Sequence, residues 1–243
     1  MTIRERADRL LVARGLFESR ARAQAAISAG RVTADGVVVR KASEEISPAA
    51  VIAAEPEHPY VSRGGVKLTA ALDHFHLDVA GCICLDAGAS TGGFAEVLLG
   101  RGAKLVYAVD VGRGQLHPRL HGCAEIVSIE QTDIRALDPA RLAEPPDFIT
   151  IDVSFISLKL VLPAALALAT QPVHLLALVK PQFEAPRTHI RKGIVRDPAV
   201  HQAVVADIAA YAATLGCRDI VSFPSAIDGA DGNREFFIGA ALG

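Results

Sequence analysis

Three ionisable residues each close an apolar run: Asp110 after 104–109, Asp152 after 147–151 and Lys180 after 173–179. In open α/β sheets, strand ends of this kind line the active site. A lysine that ends a long apolar strand is partly stripped of water, which lowers its ammonium pKa towards neutrality. Such a lysine can take a proton from a weakly acidic hydroxyl. Asp152 is placed to orient it, and Lys67 to position the reacting group and offset charge. Singly, each of these residues reads as a surface ion pair, and Glu235 as the first residue of a strand. Three charged residues at three strand ends make the case for a site.

The ligand signal lies upstream, in Asp86-Ala87-Gly88-Ala89-Ser90-Thr91-Gly92-Gly93-Phe94. An apolar run precedes it and a helical pattern follows, with apolar Phe94, Val97, Leu98 and Leu99 and a stop at Gly100 and Gly102. A strand, a glycine turn and a helix N-terminus form the nucleotide-cradling unit of doubly wound folds. The spacing is neither G-x-G-x-x-G nor a phosphate loop, whose lysine is missing. An acid two residues before the first glycine suits a ligand with a cation and a ribose better than one with a pyrophosphate, and S-adenosylmethionine is such a ligand. Asp86, Gly88, Ala89, Ser90, Gly92, Gly93 and Phe94 are therefore candidate cofactor contacts. Asp110, about 20 residues on, is placed for ribose hydroxyls. Asp133, just past the run 125–129, either accepts from the adenine amino group or caps a turn. A plain structural turn remains the alternative for the glycine segment taken alone.

These residues need a sheet to hold them, and the chain supplies strand after strand: 82–85, 104–110, 125–129, 147–152, 173–179, 220–223 and 235–240. Helices are expected from Gly64, after the glycine turn, from the Ser157 cap to Ala169, and from Asp197-Pro198 to a stop at Gly216. Val200, Val204, Ile208, Tyr211 and Leu215 form the apolar stripe expected on the last helix. With 243 residues, 51% of them apolar, the chain can bury one large α/β core beside a small module. Cys82, Cys84, Cys123 and Cys217 form no C-x-x-C pair, so a reduced, cytoplasmic protein without a metal site is expected. The apolar stretch 160–179 is interrupted by Pro163, Gln171, Pro172 and His174, which fits a buried helix and strand rather than a membrane span.

Charge is uneven. Through Lys41 there are five more basic than acidic residues, whereas the remainder carries a net charge of −7. Two short helices, the second capped by Ser19, precede a strand, an Asp35-Gly36 turn and a strand. Arg4, Arg6, Arg14, Arg20, Arg22 and Arg31 are spread over this unit. They are either solvated helix faces or a platform for an RNA backbone, and the clustering of Arg14, Arg20 and Arg22 at one helix–helix turn favours RNA. Residues 43–59 are expected to finish the module and act as linker, dividing the chain into 1–59 and 60–243.

The segment 10–32 resembles an S4 RNA-binding domain. Tyr60-Val61-Ser62-Arg63-Gly64-Gly65-Val66-Lys67-Leu68, the glycine turn, Asp152-Val153-Ser154-Phe155-Ile156-Ser157, Leu178-Val179-Lys180-Pro181-Gln182-Phe183-Glu184 and Gly232-Asn233-Arg234-Glu235-Phe236-Phe237 together resemble the haemolysin-A (TlyA) family. The resemblance implies an S4 domain joined to a Rossmann-like, FtsJ-like methyltransferase domain that uses S-adenosylmethionine. It also implies ribose 2′-O-methylation of ribosomal RNA, with cytidine the expected nucleotide. The family's Lys-Asp-Lys-Glu tetrad falls on Lys67, Asp152, Lys180 and Glu235, all retained. One departure stands out: where relatives carry a glycine-rich loop, 188–194 keeps only Gly193 and gains Arg191 and Lys192, two further candidate phosphate contacts. Two other readings are a non-catalytic RNA-binding or ribosome-assembly factor, against which the intact tetrad argues, and a membrane-damaging haemolysin, for which no signal peptide or cationic amphipathic helix speaks.

Overall fold

The computed structural model describes residues 4–229 and 231–243. One compact unit runs up to Pro59 and a second begins at Tyr60. In the first, β1 (Glu5–Arg6) leads into α1 (Ala7–Ala13), and α2 (Arg20–Ser28) follows with Ser19 as its cap, accepting from the Arg22 amide. β2 (Val32–Ala34) and β3 (Val37–Val38) are joined by Asp35 and Gly36, whose φ values of 51° and 79° make the left-handed hairpin turn that Asp-Gly favours. The stretch 43–59 does more than link. β4 (Glu45–Ile46) pairs with β1, and β5 (Ile52–Ala54) pairs with β2 to complete a three-stranded sheet. Ala7, Leu11, Ala23, Ala26, Ile27 and Val32 close a small core over it.

The second unit is a seven-stranded sheet between helical layers. After α3 (Arg63–Phe75) come β6 (Ile83–Ala87), α4 (Gly93–Gly100), β7 (Leu105–Val109), β8 (Ile126–Ile129) and β9 (Phe148–Ile151). Then follow α5 (Leu158–Ala167), β10 (Val173–Val179), α6 (Pro181–Glu184), α7 (Pro198–Thr214), β11 (Arg218–Pro224) and β12 (Phe236–Leu242). The order across the sheet is β11-β12-β10-β9-β6-β7-β8. β10, β9, β6, β7 and β8 run parallel, and β12 inserts antiparallel between β10 and β11. This is a Rossmann-like α/β sheet whose order reverses between β6 and β9, and ligands of open sheets bind at that point.

Burial on both faces explains why the central strands read as unbroken apolar runs. β6 and β9 are buried throughout, and β10 everywhere except His174. On one face Leu85, Tyr107, Ile149, Ile151, Leu162 and Ile208 form the larger core, and on the other Leu68, Leu72, Phe94, Leu98, Phe148 and Phe237 form a second. The stripe on α7 differs from expectation beyond its first three members. Val200, Val204 and Ile208 are buried, but His201 and Ala212 complete the face, while Tyr211 and Leu215 are only partly covered. Among the described residues, no helix is long and apolar enough to cross a membrane.

Candidate active site

The carboxyl ends of β6, β7, β9 and β10 share one edge of the sheet, and the glycine turn sits among them. Gly88 has φ 85°, and a Cβ there would lie 2.4 Å from the Asp152 carbonyl oxygen. Only glycine both adopts that conformation and lets β6's turn pass so close to the end of β9. Gly92 (φ 87°) ends the turn and Gly93 opens α4, where a Cβ would strike the Ser62 side chain. The turn therefore holds bare backbone against both flanking segments.

Two adjoining cavities open from it. The larger, about 590 Å³, is walled by Gly88, Ser90, Asp110, Asp133, Asp152 and Phe155 among others. The smaller, about 150 Å³, lies between Ser62, Lys67, Ala89, Gly93, Phe94 and Asp152. Gly88, Ser90 and Asp152 belong to both. Asp110 braces the turn: its Oδ2 accepts from the Ser90 amide at 2.8 Å and its Oδ1 from the Gly112 amide at 2.7 Å. Asp133 caps the short turn after β8 by accepting from the Arg135 amide, and its carboxylate is also gripped by the Arg135 guanidinium at 2.6 Å. That hydrogen-bonded pairing holds the Asp133 carboxyl below the usual range. Asp86 lies beneath the turn, fully buried, with the Ala95 amide near its carboxyl; Oδ1 accepts from Thr150 Oγ1 at 2.9 Å, and Oδ2 makes no hydrogen bond of standard geometry among the described residues. Burial pushes its carboxyl up to about 7, the Thr150 bond opposing and the Asp152 and Asp110 charges adding.

The tetrad residues come together as two ion pairs. Lys67 Nζ on α3 meets Glu235 Oε2, at the entry to β12, at 2.5 Å, both nearly buried. Lys180 Nζ, beyond β10, lies 2.6 Å from Asp152 Oδ1, beyond β9. That second contact has an ion pair's distance without a hydrogen bond's angles; Lys180 instead donates to Ser154 Oγ at 2.9 Å, and Asp152 Oδ1 is a buried acceptor without a hydrogen bond among the described residues. Lys67 and Asp152 both line the smaller cavity, so each pair presents one member to it.

Sequence reasoning passed over Ser154 and Phe155. Phe155 is 91% exposed, its φ of 64° is rare for a bulky side chain, and its ring packs on Phe183 with centroids 4.9 Å apart. Their signal was the motif Asp152-Val153-Ser154-Phe155 itself, in which only the acid was singled out. The arginines of the first unit are placed differently from one another. Arg6 and Arg20 both bond the buried Asp8 carboxylate, Arg14 bonds the Ala50 and Pro48 carbonyl oxygens, and Arg31 pairs with Glu55. Arg22 is half-buried and Arg4 is exposed. Arg191 and Lys192 are exposed on the connection after α6.

Comparison with known proteins identifies the family. The FtsJ-like methyltransferase family matches residues 60–242, and the S4 domain family matches residues 5–52. The chain is 42% identical to the 16S/23S rRNA (cytidine-2'-O)-methyltransferase TlyA of Mycobacterium tuberculosis, over 98% of this chain and 90% of that protein. It is 37% identical to Hemolysin A of Brachyspira hyodysenteriae, over 95% of this chain and 97% of that one. A solved structure of a candidate hemolysin from Streptococcus thermophilus superposes with a TM-score of 0.78 at 41% identity, covering 100% of this chain and 90% of that chain. Fold and family together imply S-adenosylmethionine as the methyl donor. The chain belongs to the FtsJ-like methyltransferase family, in the haemolysin-A (TlyA) branch that carries an S4 domain at its N-terminal end.

Proposed function

We propose that this protein methylates ribose 2′-hydroxyls of ribosomal RNA, cytidine being the expected target, using S-adenosylmethionine. The observation that carries the reading is the pair of ion pairs, Lys67–Glu235 and Lys180–Asp152, meeting at a small cavity that adjoins a larger glycine-turned one. The larger cavity fits the cofactor. Gly88 is a cradle that any Cβ would fill, and Asp110 stands at a strand end beside exposed turn amides. Ser90 and Asp110 would hold the nucleoside, with Asp133, already engaged by Arg135, lining the same cavity; Ala89, Gly92, Gly93 and Phe94 would shape the end towards the smaller cavity, with Asp86 supporting from beneath. S-adenosylmethionine, when bound, supplies an electrophilic methyl group on a cationic sulfur.

The chain's own residues supply alignment and proton removal. Lys180 Nζ takes the proton that the ribose 2′-hydroxyl gives up. Asp152 and Ser154 fix the direction of the amine. Lys67, held by Glu235, steers the ribose and offsets charge on its oxygen. Phe155, exposed in a strained backbone position and backed by Phe183, offers a face on which the target base can stack. Arg4, and on the catalytic unit Arg191 and Lys192, are the contacts for RNA phosphates, with half-buried Arg22 a further one, in a cytoplasmic setting where ribosomes are found. Arg6, Arg14, Arg20 and Arg31 first serve their own fold, and would contribute to RNA binding through the field they add.

The test is single-turnover transfer of labelled methyl to ribosomal RNA. Lys180→Ala should abolish transfer while S-adenosylmethionine affinity and folding stay near wild type. Lys180→Arg should fail as well, because guanidinium does not act as a base at working pH. Substantial transfer by the Arg variant would remove the general-base assignment and leave Lys180 a stabiliser of charge.

A further inference from the structure

We infer that the hairpin after α6 and the start of α7 form a phosphodiester-binding pocket that grips the RNA backbone beside the reacting ribose. The inference rests on the RNA-methylation reading and adds to it a defined site. A cavity of about 430 Å³ is lined by Thr188, His189, Arg191, Arg196 and Asp197, among others. Its wall is a tight hairpin. Arg191 and Ile194 exchange backbone hydrogen bonds of 2.9 and 3.0 Å, and Lys192 and Gly193 between them have φ of 52° and 78°. Two consecutive left-handed residues make this a two-residue turn with its tip fixed.

Arg191, Lys192 and Arg196 are exposed, and none of the three has a side-chain hydrogen bond or ion pair among the described residues. The one carboxylate in the lining, Asp197, is engaged as the cap of α7, accepting from the Ala199 amide at 2.9 Å. This contrasts with the N-terminal unit, where Arg6, Arg14, Arg20 and Arg31 are bonded within their own fold. A guanidinium with no internal partner breaks no protein bond when it binds a phosphate, whereas one that must leave a buried carboxylate gives up that bond. Thr188 and His189 add a hydroxyl and a ring N–H, donors of the kind that contact phosphate oxygens.

The pocket is also fixed relative to the catalytic residues. Asn233, 1% exposed, donates through Nδ2 to the Gly193 carbonyl at 2.9 Å and accepts through Oδ1 from the Val195 amide at 3.1 Å. It lies two residues before Glu235. At the other end, the short α6 follows Lys180 and is continued by residues 185–190 into the hairpin, and its Glu184 is bonded by Ser157 and by the Leu158 amide. A backbone phosphate seated here is thus tied through the chain to both ion pairs, which makes the grip an aligning device as well as a source of affinity.

The experiment compares the full chain with Arg191→Ala/Lys192→Ala/Arg196→Ala. Binding to polyuridylate and to deproteinised ribosomal RNA is measured over a salt series, with cofactor affinity followed by calorimetry. The variant should bind both RNAs about tenfold more weakly or worse at moderate salt, and its salt slope should fall by about two to three, near one per phosphate contact. Cofactor affinity should not change. An unchanged slope and affinity, in a wild type that still methylates ribosomal RNA, would overturn the pocket and leave the function standing. Competition by inorganic phosphate at matched ionic strength without any effect of the variant on RNA binding would also overturn it, as would weakened binding confined to intact ribosomal subunits, which points to a ribosomal protein. A wild type that transfers no methyl to RNA would instead bring down the functional reading, and the pocket with it.

Discussion

Glu235→Gln separates the structural role of the Lys67–Glu235 pair from its chemical one. The two charges lie 2.5 Å apart with side chains 10% and 3% exposed. At an effective dielectric of about 20 their attraction is about 7 kcal/mol. Removing each ion from water costs several kcal/mol, so the net stabilisation by the intact pair is small. Breaking it is another matter, because Lys67 would remain buried without its counter-charge. Glu235→Gln should lower stability by about 3 to 5 kcal/mol, whereas Lys67→Met combined with Glu235→Leu should recover most of that loss. Gly229, where a Cβ would lie 2.6 Å from Glu235 Oε1, leaves little room for the carboxylate to find another partner. The assay is urea-dependent hydrogen exchange of peptides spanning β12, which reads this unit apart from the N-terminal one. The double variant should fold and yet transfer no methyl. A Glu235→Gln protein within about 1 kcal/mol of wild type would show that the buried-pair argument is wrong.

Asp110→Ala removes the acceptor that two turn amides use, and calorimetry should show S-adenosylmethionine affinity falling by about tenfold to a hundredfold; unchanged affinity would take Asp110 out of the nucleoside site. Gly88→Ala places a methyl group 2.4 Å from the Asp152 carbonyl and forces alanine to φ 85°, so cofactor affinity and transfer rate should fall together; normal values of both would contradict the close approach of turn and strand. Asp86 has a carboxyl raised in the fold to about 7, against about 3.9 when unfolded. The native state therefore holds the extra proton between those values, and Asp86 costs the fold stability as pH rises through that window, by up to about 4 kcal/mol. Asp86→Asn should thus gain relative to wild type at about pH 8 compared with about pH 5; a stability difference that does not vary with pH would refute the assignment.

The fold could be read where burial wrote it plainly. The run Val173–Val179 is a strand to the residue, because both of its faces are covered and Pro172 and Lys180-Pro181 bound it. The caps Ser19, Ser157 and Asp197 were legible for the same local reason: their side-chain oxygens accept from amides two or three residues on. The strands β4 and β5 were hidden because they are two and three residues long, and a segment carrying Ala49, Ala50, Ala53 and Ala54 shows no alternation. In the site, strand ends pointed to Asp110, Asp152 and Lys180. Nothing in the sequence says that Lys67 reaches Glu235, 168 residues away, since that pairing is created by β12 inserting beside β10. Charge composition was equally mute about Asp8, whose burial binds Arg6 and Arg20 inward. By contrast, Arg135 follows Asp133 by two residues, and that local spacing could have signalled the carboxylate's occupancy.

The most direct measurement of the central claim locates the methyl group. Ribosomal RNA from cells lacking this protein, incubated with the purified chain and S-adenosylmethionine, is digested and its nucleosides resolved by mass spectrometry. The account predicts a new methyl group on ribose 2′ oxygen, carried by cytidine, that blocks alkaline cleavage at the modified position and is absent when Lys180→Ala replaces the wild type. A methyl group found on a base, or equal incorporation by wild type and Lys180→Ala, would contradict it.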